Sequence, residues 1–202
     1  MGFWSSVGSF VSGIVGGVGH IVTGALSAVG RAVMAVCSAL GLTKHTEKPE
    51  ELGDKALQAG EAGIKPEDYA TYCDYVKAID EFEIDTEKSN LFTPEEKLRK
   101  GTELASCAIQ ERFPGAPIVE LLDLSKDYPG LFTDKRFIEL ARLQMSDPDT
   151  IKWIVGFLSG AEQNDLNIDK GVQVLTAMEK AQNPNLSDID AEVRVLNMRS
   201  RL

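Results

Sequence analysis

The first 42 residues constrain the fold more than any other part of the chain, because they contain almost no charge. Arg31 is the one charged side chain in this stretch, which has no acidic residue and holds nine of the 18 glycines. Residues 43–202 carry 20 basic and 31 acidic residues, a net charge of −11. This division predicts that the two parts of the chain are built for different surroundings.

Bulky and small residues of the apolar stretch fall on opposite sides of a helix. Steps of three and four residues give one stripe of branched apolar side chains, formed by Val7, Val11, Ile14, Val18, Ile21, Val22, Val29, Val33, Val36 and Leu40. The other side is small or weakly polar. Such a helix suits self-association in a bilayer, where small residues let backbones approach and hydroxyls bond between helices. The stripe would then face lipid.

This arrangement assigns two sets of candidate site residues. Positions for close helix packing are Gly8, Gly13, Gly16, Gly17, Gly24 and Ala28. Positions that would line a pore are Ser9, Ser12, His20, Thr23, Ser27 and Arg31. Ions would pass such a pore along hydroxyl groups and backbone dipoles.

The length of the apolar stretch argues against a single straight span. Forty helical residues would run roughly 60 Å, twice the thickness of the hydrocarbon core. We expect the glycines at 16, 17 and 19 to break it into a hairpin of two short helices, since each glycine costs a helix about 1 kcal/mol. The other arrangement left open is that only part crosses, with Phe3, Trp4 and Phe10 as interfacial anchors.

Three alternatives compete with a membrane-inserted apolar stretch, and one of them is serious. A secretory signal peptide would begin with basic residues, and none stand there. Met1-Gly2 with Ser6 fits the myristoylation pattern only loosely. A helical hairpin buried inside a water-soluble protein is the serious alternative, because a helix that is apolar all round is equally suited to a protein core.

The remainder of the chain is predicted to be a charged linker, residues 43–65, and an acidic all-α domain, residues 66–202. Pro66, Thr93-Pro94, Thr133-Asp134 and Asp147-Pro148 carry the capping residues and prolines of helix starts. Two further helices show apolar faces, formed by Val172, Leu175 and Met178 and by Ile189, Val193 and Leu196. No stretch alternates like a strand, so the predicted class is all-α.

Little in the chain points to catalysis, and we expect no enzyme, cofactor or metal. The two histidines, His20 and His45, both precede the acidic domain, which therefore lacks the commonest general base. Cys37, Cys73 and Cys107 are too widely spaced for a zinc site, and we interpret them as free thiols. A pair of carboxylates that meet only in space, as in a glycosidase, stays open.

Two ligand classes are disfavoured more directly. Asp165, Asn167 and Asp169 alternate like calcium ligands, but Lys170 and Thr176 stand where a calcium loop needs glycine and a bidentate acid. Nucleic acid is disfavoured by the net charge of −10 and the lack of a Lys/Arg cluster.

An apolar, glycine-zipper-like amino terminus joined to a small acidic helical body resembles antibacterial effectors of the bacterial type VI secretion system. The similarity is to the small membrane-depolarising class and rests on the pattern of Gly8, Gly13, Gly17 and Gly24 among valines and isoleucines. The resemblance implies secretion without a cleaved signal peptide and action at the inner membrane of a target cell. It also implies a carrier protein in the secretion tube and a cognate immunity protein.

Three functional hypotheses follow. The first is a secreted antibacterial toxin whose residues 1–42 insert and oligomerise as an ion-conducting pore. The second is a non-enzymatic binding or structural protein of a secretion machine or virion, whose apolar terminus docks in a partner's groove. The third, less favoured, is a cell-wall hydrolase with an apolar targeting segment.

Overall fold

A computed structural model describes residues 3–44, 47–125, 127–160 and 165–199. For residues 3–10, 165–167 and 199 only the backbone is described. The predicted all-α class is confirmed for these residues, in which no strand occurs. The helices are α1 Phe3–His20, α2 Thr23–Ala39, α3 Pro49–Glu61, α4 Tyr72–Asp80, α5 Thr86–Ser89, α6 Pro94–Arg112, α7 Ile118–Asp123, α8 Asp134–Ser146, α9 Thr150–Leu158, α10 Asp165–Gln182 and α11 Asp188–Arg199.

Helices begin where the sequence carries clear capping residues. Thr93 closes a capping box with Glu96, in which the Thr93 N–H donates to Oε2 of Glu96 at 2.7 Å. The predicted start at Pro66 is wrong in detail, since Pro66–Asp68 forms one short 3-10 turn. The α-helix begins instead at Tyr72, where the Thr71 hydroxyl accepts a hydrogen bond from the Asp74 N–H at 3.0 Å.

Helix α3 lies inside the stretch predicted to be a charged linker, and it is part of the core. It crosses α6 with backbone against backbone, because Gly53 and Gly101 leave no side chains between the helices. A β carbon on Gly101 would lie 1.8 Å from the Pro49 carbonyl oxygen. The charges that suggested a linker are paired inside the fold, for example Asp54 with Lys97 at 2.9 Å.

The apolar amino terminus is a helical hairpin, α1 and α2, joined at Ile21 and Val22. The break lies just after the glycines expected to cause it. Helix α1 contacts α6 and α7, and α2 contacts α6 and α8. Much of the bulky stripe is buried in these contacts, namely Ile14, Val18, Ile21, Val29, Val33 and Val36. In this structure the stripe therefore faces the helical body, as in the buried-hairpin alternative.

Helices α9, α10 and α11 form the other end of the molecule. Gly171 of α10 lets that helix approach α9, since a β carbon there would lie 2.6 Å from Cβ of Phe157. Leu175 and Met178 are buried, as predicted. The apolar face that the sequence shows on α11 is exposed, since Ile189, Val193 and Leu196 are 74%, 50% and 47% exposed. The small Ala191 and Val195 form its buried face instead.

Candidate functional site

The hairpin presents two chemically different faces. Its inner face, defined by the buried residues Ile14, Val18, Leu26, Val29, Val33 and Val36, is entirely apolar. Its outer face is exposed and carries two valines, Val15 and Val22. The rest of this face is small, hydroxyl or basic, namely Ser12, Gly16, His20, Thr23, Gly24, Ser27 and Arg31. Neither face carries an acidic side chain. The predicted separation of bulky and small residues therefore holds for most of the hairpin, with the helical body against the bulky side, but Val22 of the predicted stripe is 63% exposed.

The predicted packing glycines divide between the two faces. Gly13 and Gly17 contact the body, where their β carbons would lie 3.1 and 3.5 Å from the Val119 methyl groups. Gly16 and Gly24 have open space around them. Ala28 is half-buried. The surroundings of Gly8 and of the Ser9 side chain are not among those that the structure describes. The five other predicted pore residues are all exposed on the outer face.

The corner of the hairpin is held by two charged residues of α6, which we call the corner latch (Glu95 and Arg99). Nη1 of Arg99 donates to the Val18 carbonyl oxygen at 2.6 Å, in the last turn of α1. Oε1 of Glu95 accepts from the Thr23 hydroxyl at 3.3 Å, at the first residue of α2. Arg99 and Glu95 also pair with each other at 3.1 Å. A cation thus meets the negative end of α1, and an anion the positive end of α2.

The surface of the helical body on which the hairpin lies, which we call the hairpin seat, is tight and apolar away from the corner latch. At Gly30 a β carbon would lie 2.8 Å from the Thr102 hydroxyl and 3.0 Å from Cδ1 of Leu98. Further along α2, the Cys37 thiol donates to the Ala105 carbonyl oxygen at 3.4 Å. Burial raises the pKa of the Cys37 thiol far above its ordinary value. Burial of the thiol therefore disfavours the reactive thiolate form while α2 lies on α6.

A buried ionic cluster lies where α2 leads into α3. Nζ of Lys55 donates to Oε1 of Glu47 at 2.6 Å and lies 4.0 Å from Oδ1 of Asp80. Burial first, and the neighbouring Asp80 carboxyl second, raise the pKa of Glu47 to about 8 against the opposing effect of Lys55. The side chains of Lys55 and Asp80 are each 9% exposed. The cluster joins the connection between α2 and α3 to α3 and α4.

The thiols and tyrosines of the body are also structural. All three cysteines are free, and burial raises the pKa of Cys107 to about 12. Tyr72 and Tyr75 pack edge to face, with ring centroids 5.6 Å apart. Within the described ranges, no three or more His, Cys, Asp or Glu side chains converge in a way that would hold a metal ion.

No protein-family model, curated protein or solved structure matches this chain. Across the part of the chain that the structure describes, none of the helices has both the length and the hydropathy to cross a membrane. The corner latch is the feature of the site that sequence reasoning missed. Glu95 and Arg99 appear in the sequence as an ordinary i, i+4 pair on α6, and nothing local links them to residues about 80 positions earlier.

Proposed function

We propose that this protein is a secreted antibacterial toxin whose hairpin is stored against the helical body in water and inserts into a target-cell inner membrane. There, copies would assemble into an ion-conducting pore. The observation that carries the proposal is the chemistry of the hairpin seat, which is apolar except for the corner latch and single hydrogen bonds such as that of Cys37. Leaving it separates no buried ion pair among the described residues.

The energetics favour storage in water and permit transfer to lipid. Six fully or nearly fully buried inner-face side chains, at about 1.5–3 kcal/mol each, oppose detachment in water by on the order of 10 kcal/mol. A bilayer offers the same side chains an apolar environment, so this cost is largely recovered there. The outer face, with hydroxyls at Thr23 and Ser27, would line the pore or contact neighbouring copies.

Helix length limits the mode of insertion. Helices α1 and α2 have 18 and 17 residues, about 25–27 Å at 1.5 Å per residue, against about 30 Å of hydrocarbon. The hairpin would therefore insert with local bilayer thinning and through assembly of several copies. Under this proposal the resemblance to type VI effectors adds a tube carrier, an immunity protein and signal-peptide-independent secretion.

A disulfide between the hairpin and the body tests the proposal. Gly13→Cys with Val119→Cys places two thiols across the seat, because a β carbon at position 13 would lie 3.1 Å from a Val119 methyl group. We expect the reduced protein to release dye from anionic liposomes, the oxidised protein to release none, and a reductant to restore release. Equal release in both states, or none in either, would refute the proposal.

Two controls isolate the effect of the lock. Cys73 is the half-exposed natural thiol, so all variants carry Cys73→Ala. Gly16→Cys with Val119→Cys is the matched control, since a β carbon at Gly16 has nothing within 4 Å. This pair should form no internal disulfide, and its leakage should not respond to oxidation.

A second candidate is the non-enzymatic binding protein, and one observation favours it. Ile14, Val18 and Leu26 have no exposed surface at all, so the hairpin is already satisfied by its own chain. In this case the hairpin is a permanent part of the fold, so the partner would bind another surface, and not the apolar terminus that was expected to dock in a partner's groove. The oxidised double variant, Gly13→Cys with Val119→Cys, would then bind its partner as well as the reduced form does. Liposomes would stay intact with both the oxidised and the reduced protein.

A further inference from the structure

The connection between α2 and α3 contains two buried polar atoms that have no hydrogen-bond partner in the described structure. These atoms are Oε2 of Glu47 and the hydroxyl oxygen of Thr43. The Glu47 side chain is only 2% exposed, and its other oxygen pairs with Lys55. A buried carboxylate oxygen that no donor reaches favours the protonated, neutral form of the group. The fold is therefore incompletely satisfied at this connection.

Two carboxyl groups at this connection face a single buried cation among the described residues. Nζ of Lys55 lies 2.6 Å from Oε1 of Glu47 and 4.0 Å from Oδ1 of Asp80. Lys44 also approaches Asp80, with Nζ 3.7 Å from Oδ2, but its side chain is 63% exposed. With both carboxyls ionised, two buried negative charges would share one buried positive charge. With Glu47 protonated, the charges of Lys55 and Asp80 balance.

Charged groups that approach Glu47 from the other elements are open to water. Arg31 of α2, Lys48 of the connection and Asp134 of α8 border the groove that Glu47 also lines. All three are exposed, so solvent and salt screen their effect on a buried carboxyl. Lys55 and Asp80 therefore decide the charge state of Glu47.

Ionic and polar contacts hold the connection to the end of α4. The Lys44 N–H donates to Oδ1 of Asp80 at 3.5 Å, and Nζ of Lys44 donates to the Asp80 carbonyl oxygen at 3.2 Å. Lys55 donates to the same carbonyl oxygen. We call Lys44, Glu47, Lys55 and Asp80 the clasp. We propose that the clasp is a pH-sensitive hold on the connection, closed in mildly acidic solution and increasingly open as the pH rises through neutrality.

The direction of the pH effect follows from the proton on Glu47. In the open clasp Glu47 meets water and its carboxyl has the ordinary pKa of 4.5, whereas in the closed clasp its pKa is raised to about 8. Between these values the closed form binds more protons than the open form. The open fraction therefore rises with pH across this range, by up to about tenfold per pH unit, and levels off above it.

Opening of the clasp is a local event. It lets water reach Oε2 of Glu47 and the Thr43 hydroxyl, which have no partner in the closed form, while the apolar hairpin seat and the corner latch stay in place. The connection is thus the part of the hairpin segment that loosens first. This inference concerns the folded chain in water and does not depend on the proposed membrane activity.

Amide hydrogen exchange, followed by NMR on the full chain, tests the clasp. The Glu47 N–H donates to the Lys44 carbonyl oxygen at 3.2 Å, so its exchange requires the connection to open. Its protection factor, corrected for the pH dependence of the chemical step, should fall at least about tenfold between about pH 5.5 and about pH 7.5. Amides in the middle of α6, around Ala105, should stay more strongly protected at every pH. Equal protection at both places would mean that the chain opens globally, and would overturn the proposal.

Substitutions identify the group that carries the pH dependence. All proteins, the parent included, carry His45→Gln, because an imidazole titrates in the same pH range. In Glu47→Gln the protection of the residue 47 amide should stay constant within about twofold from pH 5.5 to 7.5. Asp80→Asn leaves Lys55 to Glu47 alone and should move the fall in protection to lower pH. Circular dichroism checks that each variant folds.

Glu103→Gln is the matched control. The Glu103 side chain of α6 is also largely buried, at 13% exposed, and lies 3.7 Å from a lysine, Lys100. This variant should show the same pH dependence at the Glu47 amide as the parent. A parent whose corrected protection does not change with pH, or a Glu47→Gln variant that keeps the parent's pH dependence, would refute the clasp.

Discussion

Replacing Gly101 by alanine would test whether α3 and α6 touch through their backbones. The added β carbon would lie 1.8 Å from the carbonyl oxygen of Pro49 and 2.7 Å from its carbonyl carbon. Ordinary contacts of this type are about 3.4 Å or longer, so the two helices would have to separate by more than about 1 Å. The obstacle is backbone, which cannot rotate away as a flexible side chain can.

The magnitude follows from two opposing effects. Alanine in place of glycine favours a helix by about 1 kcal/mol. Overpacking of a well-filled contact costs about 1–3 kcal/mol and occasionally more. Since the facing Gly53 shows that no spare room exists on the other helix, we expect the upper end of that range. The net loss in the free energy of unfolding should be about 2 kcal/mol or more.

Gly60→Ala is the matched control for this substitution. Gly60 lies in the last turn of α3, and a β carbon there would meet nothing within 4 Å. It should gain a few tenths to about 1 kcal/mol. Urea unfolding monitored by circular dichroism measures both, and for a chain of this size Tm should change by about 2–4 °C per kcal/mol. Two variants of equal stability would refute the backbone contact.

Three further predictions concern buried polar groups. The folded pKa of Glu47, about 8, lies above its unfolded value of 4.5, so stability falls as pH rises between these values; Glu47→Gln should gain stability over the parent across that window, measured by urea titrations at several pH values. Arg136→Met leaves Glu179, 2% exposed, without its partner and should lower unfolding free energy by about 3–5 kcal/mol. Ser106→Ala removes a buried hydroxyl that has no hydrogen-bond partner in the described structure, and should leave Tm unchanged or raise it; a clear loss would contradict this.

Local signals in the sequence predicted the parts of the fold that depend on neighbouring residues. The start of α6 needs only Thr93, Pro94 and Glu96. The hairpin break was predicted from the glycines at 16, 17 and 19, which stay helical in α1, and it falls just after them at Ile21 and Val22. By contrast, α3 appeared to be a linker because its charges find partners far along the chain, as Asp54 does in Lys97. Hydrophobic periodicity along the sequence does not show which distant residues will pair with these charges.

The same limit applies to the candidate site. The spacing of the valines established that the hairpin has a bulky face, but lipid and protein bury that face equally well. Likewise, α11 has two apolar faces, and the sequence favoured the larger one, formed by Ile189 and Val193. The structure buries Ala191 and Val195 on the side of α11 that contacts α10 and α9.

The buried thiol of Cys37 gives the chain an internal reporter of hairpin departure. Its sulfur has no exposed surface while α2 rests on α6, and its high pKa suppresses the reactive thiolate. Alkylation of Cys37 therefore requires a conformation in which α2 has left its seat. The rate at which mass spectrometry detects that modification, in buffer and then with vesicles, measures how often the helix leaves and whether lipid promotes it.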